Sequence, residues 1–259
     1  MGKTISVFMQ KGGAGKTTTA INFSAFAGAR KRKILLIDLD AQGSATIFSG
    51  TNKNTVSHSI RDVLVGECNI NQSIQHLKYY DLIPANRDVQ GMEFELSRLA
   101  DIYILKKAIE PLKNDYDFII LDCPPAINPI SIAALIASDT LIVPVEPKPM
   151  TIIGLNDLIS TINEIYEKHW NDDLYVLGIL MTRYNTRTKL NKRMESLIAK
   201  TAASLDTTVF DCSIRECTAI AECQEKRIPL PDYKPSKNNG AMDYNGFTTK
   251  ILQKLEGEK

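Results

Sequence analysis

Residues 10–18, Gln-Lys-Gly-Gly-Ala-Gly-Lys-Thr-Thr, constrain this chain more than any other stretch. A short apolar run at 4–9 precedes them and reads as a strand; residues 19–27 read as a helix. A strand, a glycine-rich turn and a helix N-terminus together make an anion cradle. The glycines let backbone N–H groups point inward, and the helix end adds partial positive charge. Gly15-Lys16-Thr17 fills the second half of the phosphate-loop pattern G-x-x-x-x-G-K-[ST]. The first glycine position instead holds Gln10, and a second lysine, Lys11, follows it.

Composition sets wide bounds. With 259 residues, 44% hydrophobic and 24% charged, the chain has material for a substantial core. A net charge of +1 gives no global field toward polyanions, so any nucleic-acid contact must use a local basic face. The five cysteines, at 68, 123, 212, 217 and 223, form no C-x-x-C pair and read as reduced thiols. Cys212, Cys217 and Cys223 match no standard metal-ligand spacing. No apolar run reaches the length of a membrane span.

Carboxylates punctuate the next strands. The run at 33–38 ends in Asp38-Leu39-Asp40-Ala41-Gln42-Gly43. Alternation puts Asp38 and Asp40 on one side of the chain, at the carboxyl edge where ligands of parallel sheets bind. Capping of the next helix is the alternative role for this pair. Residues 117–122 are a second buried run ending in Asp122, which has the form of a Walker B strand whose carboxylate holds Mg²⁺ through water, opposite Thr17. Pro124 and Pro125 then force a turn, and Cys123 reads as a small filler.

Further strands are expected at 81–86, 140–146 and 174–181. Helices are expected at 58–65, 88–99, 101–113, 153–170 and 189–205, with a last helix carrying Phe247, Ile251, Leu252 and Leu255. In the helix at 189–205, Leu190, Met194, Leu197, Ile198 and Leu205 share one face. The alternation predicts an α/β protein with the three-layer P-loop NTPase fold: a mostly parallel twisted sheet with helices on both faces. Residues 1–259 read as a single domain, with no helix-turn-helix ahead of the first strand.

Taken together, these motifs resemble the ParA/MinD family of ATPases. Residues 11–18 match its deviant Walker A loop, K-G-G-x-G-K-[ST]-[ST], and the Asp38 segment matches its D-x-D-x-Q-G motif. The resemblance runs from Lys3 to about Leu255 and is nearer the ParA (Soj-like) branch, which partitions plasmids and chromosomes. It implies ATP and Mg²⁺ as cofactors. Lys11, Gly12, Gly13, Ala14, Gly15, Lys16, Thr17 and Thr18 would hold the phosphates. Thr17, Asp38 and Asp122 would surround the metal, and Asp40 would orient the attacking water. Lys11 would reach the partner's phosphates across an ATP-dependent homodimer. Thr182 and Arg183 stand where relatives bind adenine. Lys148 occupies a place where relatives carry an acidic residue that contacts the partner's ribose, with Glu146 two residues earlier.

The same resemblance makes Arg187, Lys189 and Arg215 candidate contacts to non-specific double-stranded DNA, with Lys226 and Arg227 nearby. For Arg215 the alternative is an ion pair with Glu216 or Glu222. A ParB-like centromere-binding adaptor would stimulate a weak intrinsic ATPase on the nucleoid, in the cytoplasm. A MinD-like positioning ATPase at a membrane, or one serving another cargo, is the competing reading. The acidic end, Glu256-Gly-Glu-Lys259, opposes an anionic lipid surface.

Overall fold

The computed structural model describes residues 1–86, 101–185, 187–234 and 238–257. Among these, eight strands form one sheet: β1 (Lys3–Val7), β2 (Ile34–Asp38), β3 (Gln75–His76), β4 (Asp81–Ile83), β5 (Phe118–Asp122), β6 (Thr140–Val145), β7 (Tyr175–Tyr184) and β8 (Val209–Arg215). Their order is β3-β4-β2-β5-β1-β6-β7-β8. Every pairing is parallel except β3 with β4 at the edge.

Parallel strands need crossovers, and the crossovers cover both faces. The helices are α1 (Lys16–Gly28), α2 (Ser44–Phe48), α3 (Ile60–Leu64), α4 (Ile104–Ile109), α5 (Pro129–Ala137), α6 (Met150–Glu167), α7 (Lys189–Ala203), α8 (Thr218–Lys226) and α9 (Asn239–Gly257). Two separate apolar clusters result. Leu35, Ile37, Ile119 and Leu121 face the layer holding α5, α6 and α7. Their neighbours Ile34, Leu36, Phe118 and Ile120 face α1, α8 and α9. Burial on both sides explains why these strands read as continuous apolar runs rather than alternating ones. This is the three-layer α/β architecture expected from the sequence.

Several boundaries differ from expectation. Helix α6 starts at Met150, three residues before the expected start, with Pro149 as its N-cap. Strand β7 runs on to Tyr184, so Thr182 and Arg183 belong to the strand itself. In the 101–113 segment, α4 stops at Ile109 and gives way to a 3-10 turn, Glu110–Asn114, because Pro111 removes a backbone donor. The shared face assigned to the 189–205 helix is corrected: Met194 and Ile198 are buried, but Leu190 is 53% and Leu197 39% exposed. Strand β8 and helix α8 were not anticipated as elements. The helix expected at 88–99 lies outside the described residues.

Gly28 ends α1 where the chain needs close backbone approach. A Cβ there would lie 1.7 Å from the Tyr79 carbonyl oxygen.

Candidate nucleotide site

The parallel sheet places the C-terminal ends of β1, β2 and β5 side by side, and Asp38 and Asp122 are register partners on β2 and β5. The phosphate loop leaves β1 on the other side of β5. Gly15 takes φ 91° as the N-cap of α1, a backbone state that favours glycine, and no side chain caps the helix. From Gly12 through Thr18, no backbone N–H donates to a protein acceptor among the described residues. Such a row of open donors, on a helix with no acid in its first turn, is what a phosphate chain requires.

Lys16 is buried, and its Nζ donates to the Lys11 carbonyl at 2.9 Å. Burial pulls its pKa down, against the raising fields of Asp122, Cys123 and Asp40. The Lys11 side chain has no hydrogen-bond or ion-pair partner among the described residues, and it does not line the cleft beside its own loop. That cleft, about 580 Å³, is bordered by the loop, Asp40, Arg183, Arg215 and Tyr244.

The two buried strand-end carboxylates differ. Asp38 is fully engaged: Oδ2 accepts from the Thr46 amide and hydroxyl, both at 2.7 Å, and Oδ1 accepts from the Asp40 amide at 3.2 Å. Burial nonetheless pushes it up to about 6. Asp122 has no hydrogen-bond partner at normal geometry on either oxygen, although Thr17 is near enough to favour its ionised form. Burial, followed by the neighbouring Asp38, drives its pKa well above the usual carboxylate range. A buried carboxylate with two open oxygens beside a threonine hydroxyl suits a divalent cation; the Lys16 ammonium favours its ionised form but does not outweigh burial. Asp38 has the hydrogen bonding of a supporting residue rather than a direct ligand. Asp40 is half-buried, and its Oδ1 accepts from the Gln42 amide at 2.9 Å.

Thr182 lines the cleft, but its buried hydroxyl is spent on the Ala14 carbonyl at 2.9 Å. It braces the phosphate loop. Arg183 is exposed, sits at φ 48° and has no side-chain partner among the described residues. Arg187 and Lys189 are likewise exposed and unpaired among those residues, at the β7–α7 connection. Arg215 does not pair with Glu216 or Glu222. Its partner is Asp243 on α9, with Nη2–Oδ1 at 2.6 Å. Lys226 and Arg227 lie at the far end of α8 from Arg215, and Lys226 packs over the Tyr233 ring. Lys148 pairs with Glu146 at 2.7 Å. Cys123 is buried, its thiol pushed up to about 12 by desolvation, which makes it inert.

Three site contacts were not singled out from the sequence, although residues 236–244 resemble the family's closing motif. Gln224 on α8 donates to Thr18 Oγ1 at 3.0 Å, Tyr244 on α9 shares a hydrogen bond with Thr19 Oγ1 at 3.2 Å, and Asp243 meets Arg215.

An AAA-domain family model matches residues 2–176. The sporulation initiation inhibitor protein Soj of Bacillus subtilis is 34% identical over 247 residues, spanning 94% of this chain and 96% of that one. Two solved structures superpose over nearly the whole fold. Cobyrinic acid a,c-diamide synthase from Mycobacterium smegmatis, with an ATP analogue and magnesium bound, is 28% identical, with TM-score 0.87 over 100% of this chain and 97% of that one. The cell division ATPase MinD of Pyrococcus furiosus is 26% identical, with TM-score 0.78 over 98% and 99%. A loop of open amides behind a central parallel strand, with paired acidic strand ends beside it, defines a P-loop nucleotide-binding protein. This chain belongs to the ParA/MinD family of ATPases.

Proposed function

We propose that this chain is a DNA-partitioning ATPase: two subunits close face to face around ATP and hold non-specific double-stranded DNA until hydrolysis separates them. The observation that carries this reading is the disposition of the two loop lysines. Lys16 is drawn inward onto the Lys11 carbonyl, while the Lys11 side chain is unpaired among the described residues and outside its own cleft. A loop cation with no side-chain partner among the described residues of its own subunit suits use by a second copy.

In this scheme the amides of residues 12–18 and the Lys16 ammonium orient the phosphates. Thr17 and Asp122 would hold Mg²⁺, which would supply charge neutralisation to the phosphates. Asp40 lies on the cleft wall, where its carboxylate orients the attacking water. Lys11 of the partner stabilises charge that develops in the transition state, as an arginine finger does. Loss of the γ-phosphate removes the group that both subunits share, and the dimer weakens.

Arg187, Lys189 and Arg215 supply the DNA surface. They leave the same end of two adjacent strands, since Tyr184 and Arg215 are register partners. Pairing two such weak surfaces raises affinity through effective concentration. A ParB-like adaptor stimulates hydrolysis, and the protein resides on the nucleoid in the cytoplasm. The chromosome-partitioning names of other relatives support this cargo. Against the membrane reading, Phe247, Ile251, Leu252 and Leu255 of α9 are buried in the core rather than free to insert into lipid.

The test is a mobility assay on random-sequence duplex with ATP, ADP and no nucleotide, alongside light scattering for mass. A salt-sensitive, ATP-dependent shift by a dimer is expected. Equal binding in all three states, or a monomer with ATP in the slow-hydrolysing Asp40→Ala variant, would overturn it.

A further inference from the structure

We propose that Asp243 masks Arg215 as a DNA contact, and that filling the nucleotide cleft releases it. The inference rests on the DNA reading above and adds its regulation. Arg215 closes β8, and Asp243 lies in the first turns of α9. Their contact is bidentate: Nε reaches Oδ1 at 3.2 Å and Oδ2 at 3.0 Å, and Nη2 reaches Oδ1 at 2.6 Å. The Arg215 amide also donates to Oδ2 at 2.9 Å. A carboxylate held in the guanidinium fork fills the place a phosphate would take, because both present two oxygens to parallel N–H groups. The arginine is reachable while its anion is sheltered, with side-chain exposures of 43% and 11%. Arg187 and Lys189 carry no such counter-ion among the described residues, so the masking is specific to one cation of the surface.

The pair is also placed to sense nucleotide. Arg215 lines the same cleft as Lys16 and Thr18. Asp243 precedes Tyr244, whose hydroxyl is tied to Thr19, so the anion rides on a helix anchored to the first turn of α1. The cation rides on β8, and α8, which follows it, is anchored separately through Gln224 to Thr18. Thr18, Arg215, Gln224 and Tyr244 all line the cleft, so a ligand that fills it touches the elements carrying both charges and acts on the distance between them. A fork holding at 2.6–3.2 Å is lost with a shift of about 1 Å, since such bonds weaken steeply beyond their normal range.

The experiment compares wild type with Asp243→Asn for binding of random-sequence duplex across a salt series, without nucleotide and with ATP. Asparagine keeps an oxygen for the Arg215 amide and removes the charge. Without nucleotide, Asp243→Asn is expected to bind up to about fivefold tighter per subunit. Its plot of log affinity against log salt should steepen by about 0.9 for each freed cation. With ATP the two proteins should converge. Asp243→Glu, which keeps the charge, should retain the wild-type slope. Arg215→Lys tests the same point without altering α9: it loses the fork but keeps a cation, and should bind DNA with weaker nucleotide dependence. If Asp243→Asn and Arg215→Lys both keep wild-type affinity and slope while Arg187→Ala weakens binding, the mask is wrong and the DNA reading stands. If no protein binds duplex in any nucleotide state, the DNA reading falls and the mask with it.

Discussion

Lys16 Nζ donates to the main-chain carbonyl of Lys11 at 2.9 Å, so one loop lysine is fastened to the backbone of the other. The two side chains therefore have separable roles. Lys16→Ala should abolish ATP binding, read by fluorescent-nucleotide titration. Lys11→Ala should keep nucleotide binding by the monomer while turnover falls by roughly 10³-fold or more, the scale of a finger residue. Loss of nucleotide binding in both variants would show that Lys11 serves its own subunit.

The Thr182 hydroxyl holds the Ala14 carbonyl from the end of β7. Thr182→Val leaves that carbonyl without its side-chain donor, at a cost of about 1–3 kcal/mol. The strain falls on a loop whose next residue, Gly15, is already in a left-handed state. ATP affinity should drop by about tenfold, the equivalent of about 1.4 kcal/mol. Thr182→Ser should recover most of it. Were serine no better than valine, packing rather than the hydrogen bond would be the cause.

Asp122 is a buried carboxyl group whose two oxygens have no hydrogen-bond partner at normal geometry. In the metal-free protein, Asp122→Asn should raise thermal stability by roughly 1–3 kcal/mol while abolishing Mg²⁺-dependent hydrolysis. The pH dependence has a definite sign. The folded pKa lies above the unfolded one, so wild-type stability from this group is fullest at low pH and is lost as pH rises through the folded value. The advantage of the asparagine variant should therefore widen with rising pH. An advantage greatest in acid would refute this account.

Gly28 packs against the Tyr79 carbonyl so closely that no Cβ fits. Gly28→Ala should lower stability by about 1–3 kcal/mol, the usual range for overpacking, by displacing either the end of α1 or the turn before β4. An unchanged melting temperature would mean that the turn yields freely.

The phosphate loop, Asp38, Asp40 and Asp122 were legible as a candidate site because each sits within a few residues of the strand end that carries it. The continuous apolar runs of β2 and β5 likewise declared a doubly covered sheet. What escaped depends on distant chain segments. The partner of Arg215, which ends strand β8, is 28 positions away on helix α9, whereas sequence proximity pointed to Glu216 and Glu222. Thr182 read as a base contact, because nothing in the local pattern reveals that its hydroxyl meets Ala14, 168 positions earlier. Leu190 and Leu197 had the spacing of a core face, but α7 buries a narrower stripe centred on Met194 and Ile198.

The edge-on contact of Phe23 with Phe247, 6.2 Å between ring centres, and the bond from Thr19 to Tyr244 join α1 to α9. A ribosome makes these helices more than 200 codons apart. The part of α1 that meets α9 therefore stays uncovered until the last helix is made, while its packing on β2 and β5 is available earlier.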